Sequence, residues 1–237
     1  KMGSPCAIKM NYKRHKRKLI VPICFLTFAT ILSGCDETGT DNKDTTTDTI
    51  KENSAGVPSL SQTFSVKDED FSLLVDYDLG KYDLNKWHIT DNKNIGMTVK
   101  TQNLPDGYEV SLDHVHADIT IKSTEEQVNG ITQDTMDDTY HGTGQDGFYI
   151  DNDNEYYNIF NIEGYTEHFY QLWSYYYGTD SRYLRLTESN LLDAGVYAEK
   201  LTVVYDVAIK KPGIDKKYVK SVISEILIPV STDTTKK

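Results

Sequence analysis

In the second half of the chain, apolar side chains recur at every second position. Leu201, Val203, Tyr205, Val207 and Ile209 alternate with Thr202, Asp206 and Lys210, the period-two pattern of a strand with one buried face. Lys211-Pro212-Gly213 follows, and then a second β-branched run from Val219 to Val230, so the pair predicts a hairpin. Ile95, Met97 and Val99 alternate in the same way, and Leu104-Pro105-Asp106-Gly107 separates them from Tyr108, Val110 and Leu112, which predicts another hairpin. Further strands are expected over Phe71–Val75, Val115–Ile121, Phe148–Ile150, Tyr156–Ile162, His168–Tyr177 and Tyr183–Leu186. The apolar phase changes from even positions (Tyr108, Val110, Leu112) to odd ones (Val115, Ala117, Ile119, Ile121), as at a β-bulge or a strand passing between sheets. Sustained helical periodicity is absent. These patterns predict a mainly β domain over residues 63–230, built as an antiparallel β-sandwich.

The N-terminus has a different grain. Lys13, Arg14, His15, Lys16, Arg17 and Lys18 precede an uncharged run from Leu19 to Leu32. A basic segment followed by an apolar one of this length is the layout of a secretory signal peptide, and the run is shorter than the roughly 20 residues that a bilayer-spanning helix needs. Met10 is the natural start for such a segment, since it sets the basic cluster close behind the initiating residue. Small residues at Ser33 and Gly34 suit a cleavage site. Leu32-Ser33-Gly34-Cys35 resembles the lipobox of bacterial lipoproteins. The resemblance covers the first 35 residues and implies a diacylglyceryl group on the Cys35 thiol, cleavage between Gly34 and Cys35, and a mature protein held by lipid on the extracytoplasmic face of the cell membrane.

From Asp36 to about Ser61 the chain is rich in Asp, Thr, Lys, Asn, Ser and Gly. Such a stretch offers little to bury against its ordering entropy, so residues 35–62 are expected to form the lipidated cysteine and a disordered linker with a mean span of roughly 30 Å. The polar tail 231–237 is expected to fray. Removing residues 1–34 from the 237 takes away seven Lys or Arg and no acid, which leaves 18 basic against 36 acidic residues, a net charge of −18. That field repels nucleic acid and suits a cationic partner or a divalent ion. The expected partners are therefore the membrane, through Cys35, and a protein, peptide or glycan ligand at the cell surface, with no nucleic acid.

Several motifs bear on chemistry. His114-Val115-His116-Ala117-Asp118 resembles the His-x-His-x-Asp core of the metallo-β-lactamase fold, and in a strand His114, His116 and Asp118 share one face, as chelation requires. Ile119 stands where that family has a further histidine, and Ile119-Thr120-Ile121 continues as strand instead of opening a helix. The expectation is therefore a domain without metal or other cofactor, with a metal-dependent hydrolase as an alternative. Gly142-Thr143-Gly144-Gln145-Asp146-Gly147 matches a dinucleotide fingerprint in letters but lies between polar Asp137-Asp138-Thr139 and strand-like Phe148-Tyr149-Ile150, so it reads as a glycine-rich loop. Asp151-Asn152-Asp153-Asn154-Glu155 lacks the glycine and distal glutamate of an EF-hand and reads as a solvated turn. Asp193-Ala194-Gly195-Val196-Tyr197 resembles the tyrosine corner of immunoglobulin-like sandwiches, without that family's cysteine pair.

Eleven aromatic residues crowd positions 156–183. Read as strand, this stretch puts one aromatic face in the core and leaves another to meet a ligand. Tyr156, Tyr157, Trp173, Tyr175 and Tyr177 are its candidate binding residues, and a glycan is the alternative ligand class. No Gly-x-Ser-x-Gly elbow or P-loop is present, so a non-catalytic binding or interaction module is the expected function. The three cysteines are Cys6, Cys24 and Cys35, which leaves no pair for a disulfide after processing. Thermal unfolding of the processed protein should accordingly be the same with and without dithiothreitol, and a large drop in Tm on reduction would contradict this.

Overall fold

A computed structural model of the chain describes residues 48–52, 58–80, 82–139, 147–177 and 186–233. The expected signal peptide, Cys35, residues 140–146 and all but Leu186 of the strand expected over Tyr183–Leu186 lie outside the described residues. In chain order the elements are β1 (Asp48–Thr49), β2 (Lys51–Glu52), β3 (Pro58–Ser65), β4 (Ser72–Asp78), a 3-10 turn at Leu84–Lys86, β5 (Lys93–Gln102), β6 (Glu109–Ser123), β7 (Thr132–Thr139), β8 (Phe148–Tyr149) and β9 (Tyr156–Ile162), then α1 (Glu167–Tyr177), α2 (Glu188–Asp193), β10 (Val196–Lys210) and β11 (Tyr218–Pro229). The fold is mainly β, as the alternation predicts. One sheet runs β1-β11-β10-β6-β7, with β8 beside β6, and the other runs β2-β3-β4-β5-β9. Their inner faces share one apolar core. Leu73, Val75, Tyr77, Ile95, Met97 and Val99 of the second sheet pack with Val115, Ala117, Ile119, Leu201, Val203 and Tyr205 of the first.

Two polar devices cross this core. At one end Lys93 on β5, fully buried, donates from Nζ to Glu199 Oε1 on β10 at 2.9 Å and to the carbonyls of His88 and Ile89 at 2.8 and 3.1 Å. The other carboxylate oxygen accepts from Trp87 Nε1 at 2.6 Å. All three ammonium hydrogens are matched, which a buried cation needs. Elsewhere in the core, Tyr205 and Tyr77 meet at 3.0 Å, Tyr77 donates to Ser224 Oγ at 2.6 Å, Ser224 donates to Gln62 Oε1 at 2.6 Å, and Gln62 Nε2 donates to Asp48 Oδ2 at 2.8 Å. The relay changes sheet at every step (β10, β4, β11, β3, β1). Burial pushes the Tyr77 hydroxyl up to about 12 and Tyr205 well above its ordinary value, so both keep the protons that the relay uses.

The structure corrects several expectations. The hairpin over residues 201–230 forms, with Leu201 opposite Ile226 and Tyr205 opposite Val222. Residues 95–112 are not a hairpin: β5 pairs with β4 and β9, while β6 pairs with β10, β7 and β8, so the Leu104–Gly107 turn carries the chain from one sheet to the other. A turn signature says that the chain reverses, not which sheet it rejoins. Residues 168–177 form a helix, not a strand. Thr166 Oγ1 accepts from the Phe169 amide at 3.0 Å as a cap, Gln171 reaches back to Glu167 at 3.0 Å, and Phe169 and Trp173, four apart, are buried together. Their spacing fits the helical period as well as the strand period, and the cap selects the helix.

The expected linker is structured from Asp48. The Ile50 amide donates to the Leu227 carbonyl at 2.9 Å and its side chain is buried in the core, so one apolar residue and backbone pairing seat a segment whose composition is otherwise polar. At the other end Ser231 is also held, its amide donating to the Trp87 carbonyl at 2.8 Å. The Asp193–Tyr197 pentapeptide is a helix-to-strand junction. Gly195, at φ +71°, ends α2 where a side chain would strike Thr124, and Tyr197 is half exposed at the start of β10.

Removing one member of the buried ion pair leaves the other charge unmatched in the core. Glu199→Ala should therefore lower the free energy of unfolding by about 3–5 kcal/mol, whereas Lys93→Met combined with Glu199→Leu should recover most of the loss. Urea unfolding of the two variants checks both outcomes.

Candidate functional site

The outer face of β6 follows from its inner one. Val115, Ala117, Ile119 and Ile121 are buried, so alternation turns His114, His116 and Asp118 outward. The phase change anticipated at this point is a bulge. Leu112 stands opposite Val207 and His114 opposite Asp206, leaving Asp113 as the extra residue. On the other side β7 sets Asp137 directly opposite His116. Three adjacent strands thus deliver five side chains to one patch.

These side chains form a row in which acids and imidazoles alternate. Asp206 Oδ2 lies 3.5 Å from His114 Nδ1, and His114 Nε2 lies 3.0 Å from Asp137 Oδ1. The same Asp137 oxygen is 2.8 Å from His116 Nδ1, and His116 Nε2 is 3.0 Å from Asp118 Oδ2. Every ring nitrogen of the pair faces a carboxylate. A neutral imidazole has one lone pair and one N–H, so each ring can satisfy one acid with its proton and must meet the other with a cation, either a second proton or a metal. The hydrogen bond to Asp137, with help from Asp118, raises the pKa of His116 against the opposing effect of partial burial. The hydrogen bonds from His116 and His114 lower that of Asp137.

One donor atom from each of His114, His116 and Asp137 lies within 4.8 Å of the others, an arrangement able to hold a metal ion. Asp118, the carboxylate of the sequence motif, does not join this trio and instead faces the far nitrogen of His116. Asp137 and Asp206 were not singled out in the sequence. Asp206 sits on the polar phase of the 201–209 alternation, which was a usable signal, but β7 reads Thr-Gln-Asp-Thr-Met-Asp-Asp-Thr and carries almost no strand pattern. The likeness to the metallo-β-lactamase motif ends with its letters, because the motif runs through the middle of a strand that continues to Ser123.

The aromatic candidates divide. Tyr156 and Trp173 are buried in the core and cannot present rings to a ligand, which corrects their assignment as binding residues. Tyr157 on β9 is 61% exposed and Tyr175 on α1 is 77% exposed, so these two are open to solvent, on different elements. The side chain of Tyr177 lies outside the described residues, as do residues 142–146 of the glycine-rich loop. Asp151–Glu155 is an exposed turn in which Asp151 Oδ1 accepts from the amides of Asp153 and Asn154 at 2.8 and 2.6 Å. Comparison with protein-family models, curated proteins and solved structures finds no match to this chain.

The row predicts a pH dependence with a definite sign. A His116 pKa raised by folding contributes stability that is complete below its unfolded value and is lost as pH rises through the folded one; the lowered Asp137 contributes above the ordinary carboxylate range and loses its part as pH falls through the lowered value. In chelator-treated buffer, stability should therefore decline as pH rises above about 6.5, the ordinary histidine value, more steeply in the unmodified protein than in Asp137→Asn. NMR titration should place His116 above its ordinary value and show it falling in that variant.

Proposed function

We propose that the chain is the precursor of a membrane-anchored, extracytoplasmic lipoprotein whose β-sandwich is a non-catalytic binding or interaction module. The observation that carries this reading is Leu32-Ser33-Gly34-Cys35 directly after a basic segment and a short apolar run. The fold supports it through its starting point. Asp48, the first of the described residues to pair into a sheet, lies 13 positions after Cys35, so a domain held at that cysteine stays within about 45 Å of the bilayer surface. Among the described residues no helix is long and apolar enough to cross a membrane, so the lipid supplies the anchor in this reading. The strongly acidic mature chain favours a cationic group on its ligand.

The glycan alternative now rests on Tyr157 and Tyr175, and the hydrolase alternative on the His114–Asp137–His116 convergence. Neither has the paired reactive groups of a defined reaction among the described residues, and the binding role remains the best supported. Growth with a labelled fatty acid tests the anchor. The unmodified chain should take up label and fractionate with membranes, and Cys35→Ala should take up none and accumulate as precursor or soluble protein. Label retained in Cys35→Ala would overturn the reading.

A further inference from the structure

The five-membered row on the outer sheet face has a chemistry beyond the anchored-module reading, and it does not depend on lipid at Cys35. We propose that His114 Nε2, His116 Nδ1 and an Asp137 carboxylate oxygen form a binding site for a divalent first-row transition ion, zinc being the natural occupant, with Asp206 and Asp118 as the outer carboxylates that orient the two imidazoles.

The argument begins with the nitrogens that do not face Asp137. His114 Nδ1 points to Asp206, and His116 Nε2 points to Asp118 at 3.0 Å. With an ion at the inner nitrogens, each ring carries its one N–H on the outer nitrogen, where a carboxylate stands to accept it. In that tautomer the lone pairs of His114 Nε2 and His116 Nδ1 lie on the inner side, beside Asp137 Oδ1, which is 3.0 and 2.8 Å from the two nitrogens. The cation that these three groups require is then either a proton on each ring or one metal ion shared by both. A ligating histidine that gives its other N–H to a carboxylate is the usual support of protein metal sites; His116 has that support from Asp118 at 3.0 Å, and Asp206 stands 3.5 Å from His114 Nδ1 to supply the second.

The donor set and the geometry fit the ion. Two imidazoles and one carboxylate are ligands that suit zinc, and they fill three positions of a tetrahedron with the fourth left to water. Metal–ligand bonds of about 2.0–2.2 Å in a tetrahedron put donor atoms about 3.3 Å apart. The nitrogen-to-oxygen separations of 2.8 and 3.0 Å need to open by only a few tenths of an ångström, and the two nitrogens, within 4.8 Å of each other, come to the same spacing by rotation of the rings. The backbone under the site is stiff, since β6 is paired on both sides, whereas the Asp137 side chain is 60% exposed and free to adjust. The imidazoles are about 30% exposed, so the ion has a route in from solvent. The proposal departs from the expectation of a metal-free domain because register places Asp137 across the strand from His116, a ligand that the His-x-His-x-Asp letters do not contain.

The test is titration of the full chain, purified in detergent without a histidine tag and stripped with chelator, with Zn²⁺ in a calorimeter. One Zn²⁺ per chain should bind saturably. His116→Ala and Asp137→Ala should abolish that binding, and Asp118→Asn, which changes no ligand, should weaken it about 10–100-fold. Asp193→Asn, an exposed acid on α2, should leave it unchanged. Because His116→Ala alters a structural side chain, Co²⁺ added to the unmodified chain gives a second reading, with visible bands of a tetrahedral nitrogen–oxygen site expected and then displaced by Zn²⁺. Absence of saturable one-to-one binding would overturn the proposal. So would binding that Asp193→Asn weakens as much as Asp137→Ala does, which would mark a diffuse acidic surface, or Co²⁺ spectra of the hydrated octahedral ion alone.

Discussion

The Lys93–Glu199 pair is the constraint around which the two sheets are set. Placing a charge in a core is costly, and these two are tolerated because each hydrogen and each carboxylate oxygen has a partner: Lys93 with the His88 and Ile89 carbonyls, and Glu199 with the Trp87 indole. Such matching is possible in one relative placement of β5 and β10. An apolar core alone allows sheets to slide, since its contacts are non-directional, whereas this pair and the Tyr205–Tyr77–Ser224–Gln62–Asp48 relay are directional at both contacts and angles.

Once the inner faces are fixed, the outer face is determined residue by residue. The single extra residue at Asp113 decides which side His114 takes. Without that bulge, the phase set by Val110 and Leu112 would carry His114 and His116 into the core and turn Val115 and Ala117 to solvent. A second irregularity on β7, between the partners of Ile119 and Thr120, turns Gln133 inward, where Nε2 bonds the Ile89 carbonyl at 2.8 Å, and keeps Asp137 in line with His116. Two local departures from regular pairing thus assemble the acid–imidazole row.

What the sequence made legible follows from the same physics. Strands with a strong apolar beat, β4, β9, β10 and β11, could be placed from alternation alone, and so could the phase change in β6. Strands held by backbone pairing and polar side chains could not: β7 has Met136 as its one apolar residue, and β1 and β2 are two residues each. Partner choice was equally hidden, because the period-two signal of Ile95–Val99 is the same whether its neighbour is the next strand or the one before. The histidines and Asp118 could be read as a shared face because they lie on one strand. Asp137 and Asp206 reach the site only through register between strands far apart in sequence, and a single sequence holds no local record of that register.

The position of β1 bears on how the domain takes a mechanical load. β1 is the outermost strand of its sheet, and β7 is the outermost on the opposite margin, four strand spacings or about 19 Å away. Among the described residues, a pull applied from the N-terminal side would be borne first by a two-residue parallel pairing to β11 and the seated Ile50 side chain. Parting that margin would break two residues of pairing, unseat Ile50 and cost the Gln62–Asp48 bond, and none of these contacts belongs to the pairing among β10, β6 and β7. The fold therefore keeps the short pairing at one margin apart from β6, which carries the histidines and is paired on both sides.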